Sequence, residues 1–293
     1  GGSTNGASGI QLAYQMARQH LIAGGTNRVI LATDGDFNVG ITDQGALTRL
    51  IEDEAKSGVF LSVLGFGAGN LKDSTMEKLA DRGNGNYAYI DTISEARKVL
   101  VEQLGGTLVT IAKDVKLQLE FNPRRVAAYR LIGYENRLLR NEDFNDDTTD
   151  AGEIGAGHTV TALYELVPAG IDADVPTVDE LKYQRTAEPA ETASSDELLT
   201  LKLRYKEPDG RQSKLISMVV RDSDRSYAEA SEDSRFAAAV AGFGLALRDS
   251  EHRGDLTLAA VQELAAASRG ADENGYRAEF IALVKRAATL GGK

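Results

Sequence analysis

Two oxygen-bearing side chains are the first residues in this chain whose types could do chemistry together. Thr4 lies in a small, polar loop, Gly1 to Gly9, and Asp34 sits in a Thr-Asp-Gly turn after a short apolar run. A hydroxyl beside a carboxylate is a hard donor pair suited to Mg²⁺, Mn²⁺ or Ca²⁺, ions that take about six oxygens and, for Mg²⁺, keep several waters. The pair leaves the ion's charge unsatisfied, so an acidic group from a partner would complete the shell. That is binding chemistry rather than turnover. Ser3 and Asp36 are weaker candidates on the same loops. The plainer reading of Thr33-Asp34-Gly35 is a turn that ends a strand.

Other constellations carry less. Asp143, Asn145, Asp147 and Asp150 have the spacing of a calcium loop, but the turn glycine is missing and Ile154 stands where a terminal Glu belongs, so the segment reads as a solvated loop. Gly65-Phe-Gly67-Ala-Gly69-Asn70 follows a strand as a nucleotide fingerprint would, with its third glycine misplaced. Gly-Gly-Ser-Thr4 lacks the Lys of a phosphate-binding loop. A nucleotide-binding enzyme of Rossmann-like fold is therefore the alternative from the enzyme class. His20, His158 and His252 fall on separate segments and no Gly-x-Ser-x-Gly elbow occurs, so no nucleophile and base are paired and the chain reads as non-catalytic.

The elements that must position Thr4 and Asp34 alternate. Ile10, Tyr14, Ala17 and Leu21 recur at helical spacing from Ser8 to Ala23, and Gly24-Gly25 supplies a left-handed stop. Arg28 to Thr33 reads as a strand buried on both faces of a parallel sheet. A second helical stripe runs through Leu47, Ile51 and Ala55, and Val59 to Leu64 is the next strand. Ser74 with Glu77, and Thr92 with Glu95, have capping-box spacing and open two further helices around a strand at Asn86 to Ile90. Strands separated by helices imply a doubly wound α/β sheet, whose ligands bind at the carboxyl ends of the strands. Asp34 belongs to that rim.

From Asp114 the period shifts towards two. Val115, Leu117, Leu119 and Phe121 alternate with polar residues, and further strand-like runs cover 126–134, 159–166, 198–205 and 215–220. Strands following strands imply an antiparallel β-sandwich. The last sixty or so residues carry three helical stripes, one of them Phe236, Val240, Phe243 and Leu247, which pack on the sandwich or on one another. The expected organisation is an α/β domain over 1–112, a β-sandwich over 113–222 and a helical region over 223–293.

Composition bounds what such a chain does. A length of 293 residues allows about two domains, and 42% hydrophobic with 26% charged residues excludes wholesale disorder and fibres. A net charge of −11 is the wrong sign for neutralising nucleic acid or an anionic membrane. The absence of Cys removes thiolate zinc sites and disulfides. No apolar run approaches the ~20 residues a membrane span needs.

Gly-Gly-Ser-Thr4-Asn-Gly before an amphipathic helix, followed by Val-Ile-Leu-Ala-Thr33-Asp34-Gly35-Asp36, resembles a von Willebrand factor type A domain over residues 1 to about 112. In that family a metal-ion-dependent adhesion site on the sheet rim combines an Asp-x-Ser-x-Ser loop, a Thr from a later loop and the Asp of a Thr-Asp-Gly turn. The resemblance implies that Thr4 and Asp34 are metal ligands, Asp34 acting through ordered water. The Asp-x-Ser-x-Ser loop is not in this sequence, so the chain reads as amino-terminally truncated and its metal affinity is expected to be weak or absent.

With the family strand order 3-2-1-4-5-6, the strand at 28–33 is the fourth and lacks its neighbour, the first. An apolar edge invites self-association or pairing with the missing segment. The expected partner otherwise is a protein offering an acidic residue. Thr33 to Gly40 and Ala151 to His158 resemble bacterial envelope lipoproteins of this group, whose carboxyl-terminal region has no assigned activity, and this implies a location in the bacterial cell envelope.

Overall fold

The structure is a computed structural model that describes residues 5–67, 72–133, 138–149, 151–171, 196–208, 210–223 and 225–291. It is an α/β protein, with one parallel and two further sheets among the described residues, divided into two compact units. The first unit holds residues 1–118, 139–159 and 202–217, and the second holds 119–138, 160–201 and 218–293.

In the first unit three strands, β1 (Arg28–Thr33), β2 (Phe60–Phe66) and β3 (Tyr87–Ile90), form a parallel sheet in sequence order. Register runs from Arg28 opposite Phe60 to Thr33 opposite Gly65. Helix α1 (Gly6–Gln19) precedes β1 in the chain, α2 (Gln44–Ala55) joins β1 to β2, and α3 (Asp73–Arg82) joins β2 to β3. Ile10 and Tyr14, Leu47 and Ile51, and Met76 and Leu79 bury against Leu61 and Val63 of β2. Each of the Ile, Leu, Val and Met side chains contributes roughly 1.5–3 kcal/mol on leaving water. Side chains alternate along a strand, so Leu64 faces the other way and packs with Ile90 and Val99. Val99 belongs to a helical passage made of α4 (Ile93–Arg97), a wider turn at Lys98–Glu102 and α5 (Leu104–Leu108). Both faces of β2 are thus covered.

Three local expectations are corrected. Strand β1 is not buried on both faces: Val29 and Leu31 join the core, while Ile30 is 43% exposed. Among the described residues β1 has β2 on one side only, and helices cover only its Val29 face. Helix α1 ends at Gln19 rather than at Gly24-Gly25, because the Asn27 side chain clips the following turn, accepting from Ile22 N–H at 2.9 Å and donating to the Ile22 carbonyl at 2.9 Å. Helix α3 starts at Asp73, so Ser74 lies inside the first turn instead of capping it. By contrast Thr92 does cap α4, accepting from Glu95 N–H at 3.1 Å.

Beyond the parallel sheet lie β4 (Thr110–Phe121), β5 (Val126–Ile132), β6 (Gly152–Gly155), β7 (Leu163–Pro168), β8 (Glu197–Lys206) and β9 (Lys214–Arg221). One sheet has the order β6-β4-β8-β9, with β4 and β6 antiparallel, and β5 and β7 make a separate antiparallel pair. Strand β6 falls in a segment the sequence reads as loop, because its four residues, Gly-Glu-Ile-Gly, give almost no period to detect.

The acidic loop at 141–149 is fastened from within. Lys116, 2% exposed, donates to the carbonyls of Asp143 at 3.0 Å and Asp146 at 2.5 Å. Lys206, 8% exposed, donates to the Asp114 carboxylate at 2.5 Å and the Asp147 carbonyl at 2.7 Å. Arg204 reaches Asn145 Oδ1 at 3.0 Å and lies over the buried Phe144 ring. The described carboxylates of the loop find protein donors too: Arg140 bonds Asp143, Thr148 bonds Asp146, and Ser213 N–H bonds Asp147. Two ammonium groups therefore hold three backbone carbonyls of the segment, and its described carboxylates are taken up by protein donors. Asp150 lies outside the described residues.

In the second unit Phe121 packs against Tyr129 of β5 and Tyr164 of β7. Helices α6 (Glu232–Leu247), α7 (Leu258–Ala267) and α8 (Tyr276–Gly291) pack on one another through Phe243, Val261 and Val284. The predicted stripe on α6 is displaced, with Val240 and Leu247 exposed and Ala239 and Gly242 buried instead. Gly242 is where Leu256 comes so close that a Cβ would lie 2.8 Å from its side chain. Small residues set that face because a neighbouring segment approaches it, which hydrophobicity alone does not reveal.

The fastened loop can be tested in two ways. Lys206→Met leaves the largely buried Asp114 carboxylate without its cation and should cost about 3 kcal/mol in urea unfolding; Lys206→Met with Asp114→Asn should recover part of that loss. The carboxyls of Asp143, Asp146 and Asp147 are held below the usual range by hydrogen bonds from Arg140, Thr148 and Ser213 respectively. Their contribution is complete above the unfolded carboxylate value of about 4 and is lost as pH falls through the lowered folded values. Carboxyl and amide NMR shifts of 143–149 should stay constant from neutral pH down to about 4 and move together below it.

Candidate functional site

The carboxyl ends of β1, β2 and β3 make one rim. At the end of β1 the chain turns sharply: Thr33 Oγ1 accepts from Gly35 N–H at 3.0 Å, and Asp34 Oδ1 accepts from Asp36 N–H at 3.1 Å. Gly35 adopts φ +79°, and a Cβ there would meet Lys72 Cβ at 3.2 Å and Met76 Sδ at 3.4 Å. The left-handed turn with no side chain lets the start of α3 sit against it and presents Asp34 to solvent. The Asp34 carboxylate is exposed, with its second oxygen directed to no partner among the described residues.

Lys72 closes one side of this rim. Its backbone N–H reaches the Asp34 carbonyl at 3.5 Å, and its Nζ lies 3.3 Å from Asp36 Oδ1, both side chains roughly half-exposed. Lysine immediately before a helix opposes the positive end of the helix macrodipole. That misplacement is a sequence signal for a residue held by something other than its helix, and the motifs and periodicities above pass over it. Asp73 next to it accepts from Tyr87 OH at 2.5 Å, and burial together with that carboxylate pushes the Tyr87 phenol up. Tyr89 OH donates to the Gly67 carbonyl at 2.7 Å. Gly67 follows β2 with φ +113°, and a Cβ on it would lie 3.7 Å from Asp34 Cβ, so the ends of β1 and β2 are adjacent.

The loop that starts at Asp34 also touches the start of α1. The Phe37 ring lies against Gly6, where a Cβ would fall 1.9 Å from its Cδ1. Asn5, which caps α1 by accepting from Ser8 N–H at 3.2 Å, places Oδ1 against Gly40. Asn5 and Gly6, the residues directly after Thr4, are thereby pinned beside residues 37–40. Thr4 and Ser3 themselves lie outside the described residues.

What this rim can do follows from its donors. Asp34 offers one free carboxylate oxygen, and Asp36 a second carboxylate already engaged by Lys72. Among the described residues no three His, Asp or Glu side chains converge to hold a metal ion. One or two hard oxygens suit Mg²⁺ or Ca²⁺ in kind and fall short of six in number. The glycines of the nucleotide-like segment have packing roles where described: a Cβ on Gly65 would meet Tyr87 OH at 2.8 Å and Met76 Cε at 3.0 Å. Gly69 and Asn70 lie outside the described residues. Of the histidines, His20 follows α1, the His158 backbone N–H donates to the Gly155 carbonyl at 3.0 Å, and His252 lies beside Glu251. No helix among the described residues is long and apolar enough to cross a membrane.

Comparison with known proteins places these observations. The chain is 46% identical over 286 residues to the uncharacterized protein YfbK of Escherichia coli K12, a match covering 98% of this chain and 49% of the relative. It therefore spans about half the length of the curated relative it matches. Among solved structures, the human COPII-coat protein Sec24c is similar at 12% identity with a TM-score of 0.43, over 91% of this chain and 35% of that one. A family profile described as "Uncharacterized protein YfbK, C-terminal" matches residues 106–290, more than half of the sequence. The chain belongs to the YfbK family.

Proposed function

We propose that this chain is a non-catalytic, divalent-cation-dependent protein-binding module: the later part of a von Willebrand factor type A domain, followed by a sandwich-like β region and a helical tail. The observation that carries the reading is Asp34, exposed with a free carboxylate oxygen at the carboxyl rim of a parallel sheet, where ligands of doubly wound sheets bind. The contacts of Asn5 and Gly6 with the 37–40 loop support Thr4 as its companion. In this reading Thr4 and Asp34 hold Mg²⁺, Mn²⁺ or Ca²⁺, and an acidic residue of a partner protein supplies a further ligand. The exposed Ile30 and the single described neighbour of β1 support the proposal that this edge pairs with an upstream segment or with another copy. A setting in the bacterial cell envelope belongs to the same proposal.

Lys72 enters as the rim's own counter-charge. An ammonium 3.3 Å from Asp36 lowers the local negative potential and competes with a metal ion for it. The second reading, nucleotide binding, is favoured only by the glycines after β2, and titration with NAD and ATP separates the two because an adhesion module ignores both.

Calorimetry on residues 1–293 should show Mg²⁺ binding that is weak or undetectable; tight one-to-one binding by this chain would overturn the proposed dependence on an Asp-x-Ser-x-Ser loop. In a longer chain that carries such a loop, Asp34→Ala should abolish Mg²⁺-dependent capture of the partner, and unchanged capture would remove the rim from the mechanism. In that same chain Lys72→Met should tighten Mg²⁺ binding by up to about fivefold, the range of a half-exposed ion pair.

A further inference from the structure

Strand β9, Lys214-Leu-Ile-Ser-Met-Val-Val-Arg221, is the outermost strand of its sheet, with β8 on one side and no strand on the other among the described residues. Its apolar side chains are bare: Leu215 is 50% exposed, Ile216 54%, Met218 54% and Val219 41%. Because neighbours along a strand point to opposite faces, Leu215 and Val219 are uncovered on one face and Ile216 and Met218 on the other. Edge strands in monomeric proteins carry charges, prolines or bulges that stop another strand from adding. Here the charges stand only at the two ends. Lys214 is paired with Glu207 at 2.5 Å, and Arg221 with Asp196 at 3.0 Å and Glu197 at 3.3 Å.

The strand is also symmetric about Ser217. A two-fold axis perpendicular to a sheet makes antiparallel partners of two identical strands and keeps each side chain on its own face, so residues directly opposite must be an even number apart. With the axis at Ser217, Leu215 falls opposite Val219 of the second copy and Ile216 opposite Met218, on both sides of the axis. The two small Ser217 side chains meet in the middle. Lys214 faces Val220 and Arg221 faces Ser213, so no like charges are opposed. Every exposed apolar residue of the strand gains an apolar partner in one register.

We propose that β9 is a self-association edge, at which a second copy of this chain adds antiparallel about Ser217 and continues the four-stranded sheet across the two molecules. A single strand edge buries less than the roughly 800 Å² per partner of a standard stable interface, so the dimer is expected to dissociate in the micromolar range. Sedimentation velocity on residues 1–293 across micromolar to submillimolar concentrations should show a mass rising from monomer to dimer. Ile216→Lys and Met218→Glu, each alone, should remain monomeric. Mixed in equal amounts they should dimerise again, because the ammonium introduced on one copy then faces the carboxylate introduced on the other, while the second pair about the axis stays apolar. That rescue cannot come from misfolded protein. A wild-type chain that is monomeric throughout, single variants that still dimerise, a mixture that stays monomeric, or an Ile30→Lys variant that dissolves the dimer would each overturn the assignment to β9.

Discussion

A cation taken out of water must be surrounded by oxygen that the protein itself supplies, and this constraint organises much of the first unit. An unpaired buried ammonium costs several kcal/mol, so its position dictates where carbonyls and carboxylates must lie. Lys116 and Lys206 meet the demand by drawing the 141–149 loop around themselves. Arg28 does so in part at the amino end of β1, donating to Ser62 Oγ at 2.6 Å and Thr110 Oγ1 at 3.1 Å and lying over the Phe60 ring, while its buried Nε has no partner among the described residues. Burial lowers the Arg28 guanidinium, with Glu153 opposing the shift, yet its ordinary value is so high that it stays charged. Through Ser62, fully buried on β2, that one side chain ties the centre of the parallel sheet to the start of β4.

The rim at the other end of the sheet is built under the opposite condition. Charges there stay in water, so they need not be fully paired. Asp34 keeps a free oxygen, while Asp36 and Lys72 form a half-exposed pair of modest strength. An exposed carboxylate with an unoccupied lone pair is available to a ligand, whereas the carboxylates at 143–147 are committed to Arg140, Thr148 and Ser213. The same residue type, Asp, keeps an unengaged oxygen in one place and is bonded by protein donors in the other. The nearness of protein donors decides which, since Asp146 is exposed just as Asp34 is.

Tyr14 shows a further consequence of burial. Its side chain is wholly enclosed between α1 and the sheet, its hydroxyl finds no hydrogen-bond partner among the described residues, and burial raises its phenol well above the ordinary value. It acts there as a large apolar filler, contributing area to the core shared with Ile10, Leu61 and Val63 at the expense of one unsatisfied hydroxyl.

What the sequence by itself determined are the features written within a few consecutive residues. The apolar run at 28–33, the stripe through Leu47, Ile51 and Ala55, the Thr92 cap and the position of Asp34 at a strand's carboxyl end all rest on local periodicity and turn chemistry, and each is where those rules put it. Tertiary structure alone decided the features that depend on residues far apart in the chain. The end of α1 depends on Asn27 reaching back over the turn, the start of α3 on Gly35 making room for Lys72, and the buried face of α6 on the approach of Leu256. The 141–149 loop reads as solvated acid until Lys116 and Lys206 arrive from two other strands. Local rules describe what a segment prefers in water. Which side chains lose that water is settled only when distant elements pack, and this is why a calcium-like spacing became a lysine-bound loop while a commonplace Thr-Asp-Gly turn kept an open carboxylate.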